Sequence, residues 1–155
     1  KLMVLGAIQK AEGGCACPES HVLRKMLKKM LLEANEVVLL DMEAGVEHLG
    51  RGTVAGVDHL LIVVIPSQSS IRTALKIKKL ADEVRIKNIW FVGNQIQDED
   101  DKTFLADGLG ADPVAYFPDS QVIKKAERSG QPIVAIEDSL ESAPALLAEK
   151  LSQTS

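Results

Sequence analysis

The stretch E-V-V-L-L-D-M-E-A-G-V-E-H-L-G-R-G-T, Glu36 to Thr53, decides the fold. Val37, Val38, Leu39 and Leu40 form a short apolar run, the mark of a strand buried on both faces. The run ends on Asp41, and Gly45 follows four residues later. In an open parallel sheet, ligands bind beyond the carboxyl ends of the strands. An acid there can hold a magnesium ion, directly or through a water. A nearby glycine lets the backbone approach a phosphate oxygen with no Cβ in the way. The stretch therefore reads as a magnesium motif followed by a switch loop, as in a nucleotide hydrolase. Short patterns recur by chance, and an aspartate that merely opens a loop satisfies D-x-x-x-G equally well.

Working outward, the next chemistry-bearing stretch lies upstream. Leu2 to Leu5 is a short apolar run that predicts a strand, and Gly6 to Gly14 reads as a loop. Gly14-Cys15-Ala16-Cys17-Pro18 follows. In an extended segment, residues two apart point to the same side, so both thiols face one partner. Pro18 suits the first turn of a helix. From about Pro18 to Ala34, Val22, Leu23, Met26, Leu27, Met30 and Leu31 recur at helical spacing and predict a core stripe. Arg24, Lys25, Lys28 and Lys29 form a basic face, which reads first as solvated surface. The cysteines thus fall at the positive end of a helix dipole, which favours the metal-binding thiolate. Two sulfurs do not complete a metal site, and a second copy of the chain is the simplest completion. His21 is a further candidate ligand; two small buried hydrophobes is the competing reading of the pair.

The fuller wording of these two stretches carries a resemblance. D-M-E-A-G-V-E-H-L-G-R-G-T (Asp41 to Thr53) resembles the switch region of the carbon monoxide dehydrogenase maturation ATPases, within the MinD/ParA-like branch of P-loop proteins. G-C-A-C-P-E (Gly14 to Glu19) resembles the paired-cysteine metal motif of the same family, in the same order, and the likeness runs from about Leu2 to about Leu151. The resemblance implies an ATPase that delivers nickel to the carbon monoxide dehydrogenase apo-enzyme. In it, Asp41 organises magnesium beside ATP or ADP and Gly45 senses the γ-phosphate. Cys15 and Cys17 hold nickel at a homodimer interface; thiolate chemistry by itself suits zinc equally well. A switch loop ordered by the γ-phosphate would reorient the cysteine-led helix and so link nucleotide state to metal.

Downstream, L-L-I-V-V-I after His59 predicts the central strand, capped by Ser67-Gln68-Ser69-Ser70 and followed by a helix to about Arg85. Ile71, Ala74, Leu75, Lys78, Ala81 and Val84 trace its inner face, with Lys78 the exception. Ile89-Trp90-Phe91-Val92 predicts the next strand, ending on Gly93-Asn94-Gln95. In the resembling branch an asparagine after this strand contacts the adenine edge, and Asn94 matches it. Gln95 departs from the family's usual basic residue. A plain turn asparagine is the competing reading. Gln97 to Leu109 predicts a polar helix with acids near its start, and Val114 to Phe117 a strand. Pro118-Asp119 opens a helix to about Ser129 with Asp119 as N-cap. The family's second adenine-contacting loop falls here, so Pro118 and Asp119 are candidates. Ile133 to Ile136 predicts a short strand or extended segment, and Ala143 to Leu151 a final helix.

The totals bound these readings. A chain of 155 residues suits a single domain with a substantial core. Net charge −4 argues against a general nucleic-acid binder. The longest apolar run, Leu60 to Ile65, is too short to span a membrane, and no membrane-targeting tail is evident. Two cysteines one residue apart do not form a secreted disulfide framework, which points to the cytoplasm. Strands alternating with helices predict an α/β domain over residues 1–155: a mainly parallel sheet with helices on both faces, P-loop NTPase-like. No G-x-x-x-x-G-K-[ST] is present, although the resembling family carries one upstream. The expectation is thus the later part of such a domain, unable to hydrolyse ATP by itself. A positioning ATPase of the partition or division type, and a non-catalytic metal-binding dimerisation module, are the alternatives.

Overall fold

The computed structural model describes residues 37–42, 57–132 and 142–152. The chain divides into two compact units, Lys1–Ala55 and Gly56–Ser155. Of the first, residues 37–42 are described. They have no regular secondary structure, and Val37 and Leu39 are each 83% exposed. This corrects the expectation of a strand buried on both faces at Val37–Leu40. An apolar run records a preference for such a strand, but a parallel strand gains its hydrogen bonds only beside a neighbour. The strand expected at Leu2–Leu5, the helix expected from Pro18 to Ala34 and the segment at Ile133–Ile136 lie outside the described residues.

The second unit is a three-stranded parallel sheet with helices, in the order β1 (His59–Val64), α1 (Gln68–Glu83), β2 (Asn88–Ile96), α2 (Glu99–Leu109), β3 (Ala115–Pro118), α3 (Gln121–Ser129) and α4 (Ser142–Ser152). The strands lie side by side in chain order, β1-β2-β3. Each crossover is made by a helix, as parallel neighbours require. Ile62 pairs with Phe91 and Val64 with Gly93, which sets alternate residues of the two strands on one face.

That face carries the core. Ile62, Val64 and Phe91 from the sheet pack with Ile71 and Ala74 of α1 and with Leu105 and Leu109 of α2. Leu105 and Val64 are fully buried. The α1 stripe runs through Ile71, Ala74 and Ala81, with Ile77 packed against the cluster. Leu75, expected on this stripe, is instead exposed, and Lys78 pairs with Asp82 on the outside at 3.1 Å. Successive helix positions turn by about a third of a circle, so Leu75 and Ala74 cannot both face the sheet squarely.

Local chemistry sets the ends. Ser67 caps α1 by accepting from Ser70 N–H, and Asp98 caps α2 by accepting from Asp101 N–H. Glu99, Asp100 and Asp101 fill the first turn of α2, where the dipole favours acids. Ser120, not Asp119, caps α3, accepting from Ile123 N–H. Pro118, expected at the head of that helix, closes β3 instead. At the amino end of the sheet, Trp90 Nε1 donates to His59 Nδ1 at 3.2 Å, joining β1 to β2. Among the described residues no helix is long and apolar enough to cross a membrane.

Candidate functional site

Asn94, Pro118 and Asp119 come together at the carboxyl ends of adjacent strands. Ile96 of β2 pairs with Pro118 of β3, and Asp119 N–H donates to the Ile96 carbonyl at 2.9 Å. This is the end of a parallel sheet where ligands bind. The register reaches it through an irregularity. Gly93 pairs with Tyr116 and Ile96 with Pro118, so β2 spends one more residue than β3 over this interval. The extra residue makes a bulge around Asn94 and Gln95, a device that re-aims side chains. Gln95 takes φ 59°, a left-handed conformation uncommon outside glycine, and its N–H donates to Asn94 Oδ1 at 3.0 Å. The sequence alone ends this strand on Gly93-Asn94-Gln95; burial of Ile96 in the core carries it further.

Asp119 ties the two loops together. Gln97 Nε2 donates to Asp119 Oδ2 at 3.4 Å. Asp119 Oδ1, buried and with no aligned hydrogen bond, forms an ion pair with Lys124. The Gln97 backbone N–H donates to Asp101 Oδ2 at 2.9 Å, anchoring the turn to the first turn of α2. The sequence alone places Gln97 inside that helix. The N-cap geometry of Asp98 puts it outside, and D-E-D-D at residues 98–101 was the signal that could have shown this.

Beneath the loops lies an aromatic brace. A Cβ on Gly93 would stand 2.6 Å from Tyr116 Cδ1, so glycine is what allows the ring to lie against β2. The Lys102 ammonium stands 5.5 Å from the ring centroid and pairs with Glu99. Burial pushes the Tyr116 hydroxyl above its ordinary value; Asp112 adds to this, Lys102 opposes it and Glu99 adds a little.

Asp41 belongs to the other unit and is exposed. Gly45, Cys15 and Cys17 lie outside the described residues. Among the described residues no group of three or more histidine, cysteine or acidic side chains is placed to hold a metal ion.

No protein-family model matches the chain. Solved structures do. MinD cell division protein from Aquifex aeolicus matches with TM-score 0.54 and 28% identity over 66% of this chain and 47% of that one. The same organism's MinC:MinD complex matches with TM-score 0.54 and 29% identity over 66% and 46%. Together with the parallel sheet, these define an α/β fold of the P-loop NTPase type. Among curated sequences, an uncharacterized ATP-binding protein of Methanocaldococcus jannaschii is 41% identical over 135 residues, 85% of this chain and 52% of its own. The carbon monoxide dehydrogenase accessory protein CooC of Rhodospirillum rubrum is 38% identical over 131 residues, 84% of this chain and 50% of its own. The chain spans about half the length of the curated relatives it matches. It belongs to the CooC-type branch of the MinD/ParA-like P-loop family.

Proposed function

We propose that the chain is part of a maturation ATPase that couples ATP binding and hydrolysis to nickel insertion into carbon monoxide dehydrogenase. The observation that carries this is the 38% identity to an accessory protein of that enzyme, in a chain that holds both the cysteine pair and the switch wording. Asn94, Pro118 and Asp119 would hold the base of ATP or ADP. The donor chemistry fits, since amide, carboxylate and backbone groups stand at the carboxyl edge of the sheet. Asp41 would organise magnesium, which would supply charge neutralisation at the transferred phosphoryl group, and Gly45 would sense the γ-phosphate. Cys15 and Cys17 would take nickel or zinc as cargo between two copies of the chain in the cytoplasm.

Elemental analysis of the protein, with its mass in solution measured by light scattering, tests this reading. One nickel or zinc per two chains is expected, and Cys15→Ser/Cys17→Ser should lose both metal and dimer. A metal-free monomer would sink the nickel reading. It would favour the second one, a positioning ATPase of the division type, for which the likeness to MinD is the supporting observation.

A further inference from the structure

Two side-chain amides beside the bulge are each held by a partner of a single polarity, and this sets which end of each amide is turned away from that partner. Gln95 N–H donates to Asn94 Oδ1 at 3.0 Å. A backbone N–H can only donate, so the oxygen end of the Asn94 amide faces it and the NH2 end is left to donate elsewhere. Gln97 is held the opposite way round. Its Nε2 donates to Asp119 Oδ2 at 3.4 Å. A carboxylate can only accept, so the NH2 end faces Asp119 and the carbonyl Oε1 is left as an acceptor. Asp119 is itself held, by its N–H on the Ile96 carbonyl at 2.9 Å and by the Lys124 ammonium on its other oxygen. Asn94 is half-buried and Gln97 exposed, so both can be reached.

An NH2 end at Asn94 and a carbonyl at Gln97 thus face away from their partners three residues apart at the carboxyl end of β2. Adenine offers the complement along one edge: N7 accepts and the N6 amine donates. Guanine keeps N7 but replaces the amine with a carbonyl, and hypoxanthine does the same. That carbonyl would set acceptor against acceptor at Gln97, and the hydrogen bond to the base would be lost.

We propose that Gln97 is the base-selecting residue of this site. Its side-chain carbonyl accepts from the exocyclic amine of an adenine base whose N7 accepts from Asn94, and Asp119 is a positioning residue that keeps Gln97 in that polarity. The inference rests on the reading of the Asn94 loop as a nucleotide site.

Adenosine and inosine differ at the discriminating position and carry no phosphate. Titration of each into the protein, followed by NMR at the side-chain amides, therefore isolates the base. Adenosine should bind about tenfold more tightly than inosine. Gln97→Met, at an exposed position, should bring adenosine to the affinity of inosine and leave inosine within about twofold. Gln97→Ala should do the same, which guards against an effect peculiar to methionine. Asp119→Asn, whose amide can donate to Oε1 and let Gln97 turn over, should narrow the preference. Asn94→Ala should weaken both nucleosides alike. If Asn94→Ala weakens both while Gln97→Met and Gln97→Ala keep the adenosine preference, the proposal is overturned and the nucleotide site stands. If neither nucleoside binds, or Asn94→Ala changes nothing, the nucleotide-site reading falls and the proposal falls with it.

Discussion

Tyr116 shows how one residue can report on the packing beneath the candidate site. It is the sole tyrosine of the chain, so a titration of tyrosinate absorbance reads it without interference. Burial is the largest influence on its hydroxyl and raises its proton affinity above the ordinary 10.0. The folded state therefore holds this proton more tightly than the unfolded chain does. The resulting contribution is whole below pH 10.0 and shrinks as pH rises through the folded-state value. We expect the ultraviolet titration midpoint to lie above 10.0 in the folded protein and to fall back to it in denaturant. A midpoint at or below that value in the native state would contradict the packing of the ring against Gly93. None of this is visible in the sequence. Tyr116 and Gly93 are 23 positions apart, and their contact follows from the parallel register of β2 and β3, which no local pattern encodes.

Among the elements, α1 and α3 end in the same hydrogen-bonded closure, made with different residues. At α1, Arg85 N–H donates to the Asp82 carbonyl and Ile86 N–H to the Ala81 carbonyl, each at 3.0 Å. At α3, Gly130 N–H donates to the Glu127 carbonyl and Gln131 N–H to the Ala126 carbonyl. Both closures need a left-handed residue: Arg85 has φ 61° and Gly130 φ 68°. Arg85 is exposed and suffers the Cβ crowding of that conformation, whereas Gly130 does not. Arg85→Gly should raise stability by about 0.5–1 kcal/mol and Gly130→Ala should lower it by about 1 kcal/mol, both read from urea unfolding midpoints. Unchanged midpoints would mean that neither helix end limits stability. The extents of these elements were largely legible. Ile71, Ala74 and Ala81 at helical spacing gave α1, and Ser67 gave its start. The failures lie at the junctions. Asp119 and Ser120 are both good caps, and the choice between them was made by Asp119 N–H bonding to Ile96 across the sheet.

Across the whole molecule, the fold class followed from alternating strand and helix patterns, and likeness to MinD agrees with it. That Asn94, Pro118 and Asp119 fall at one end of the sheet was legible from the strand pattern. Gln97 joins them through a bulge that depends on Ile96 reaching the core, a tertiary requirement absent from any local spacing. Among the described residues β1 pairs with β2 alone, and its outward face holds Val63 at 60% exposure. An apolar side chain exposed on a strand is a ready contact for other chains. Val63→Lys should reduce concentration-dependent light scattering while shifting stability by less than about 0.5 kcal/mol; equal scattering by both proteins would locate self-association elsewhere. The bond from Trp90 to His59 has a practical side. Trp90 is the sole tryptophan, and it lies four residues along β2 from Asn94, roughly 13 Å of strand. Its emission is a built-in optical gauge of whether β1 and β2 remain zipped together, read at the opposite end of the sheet from the loops of Asn94 and Asp119. Nucleoside additions can thus be followed at the amides while the same sample shows by its fluorescence that the sheet beneath is intact.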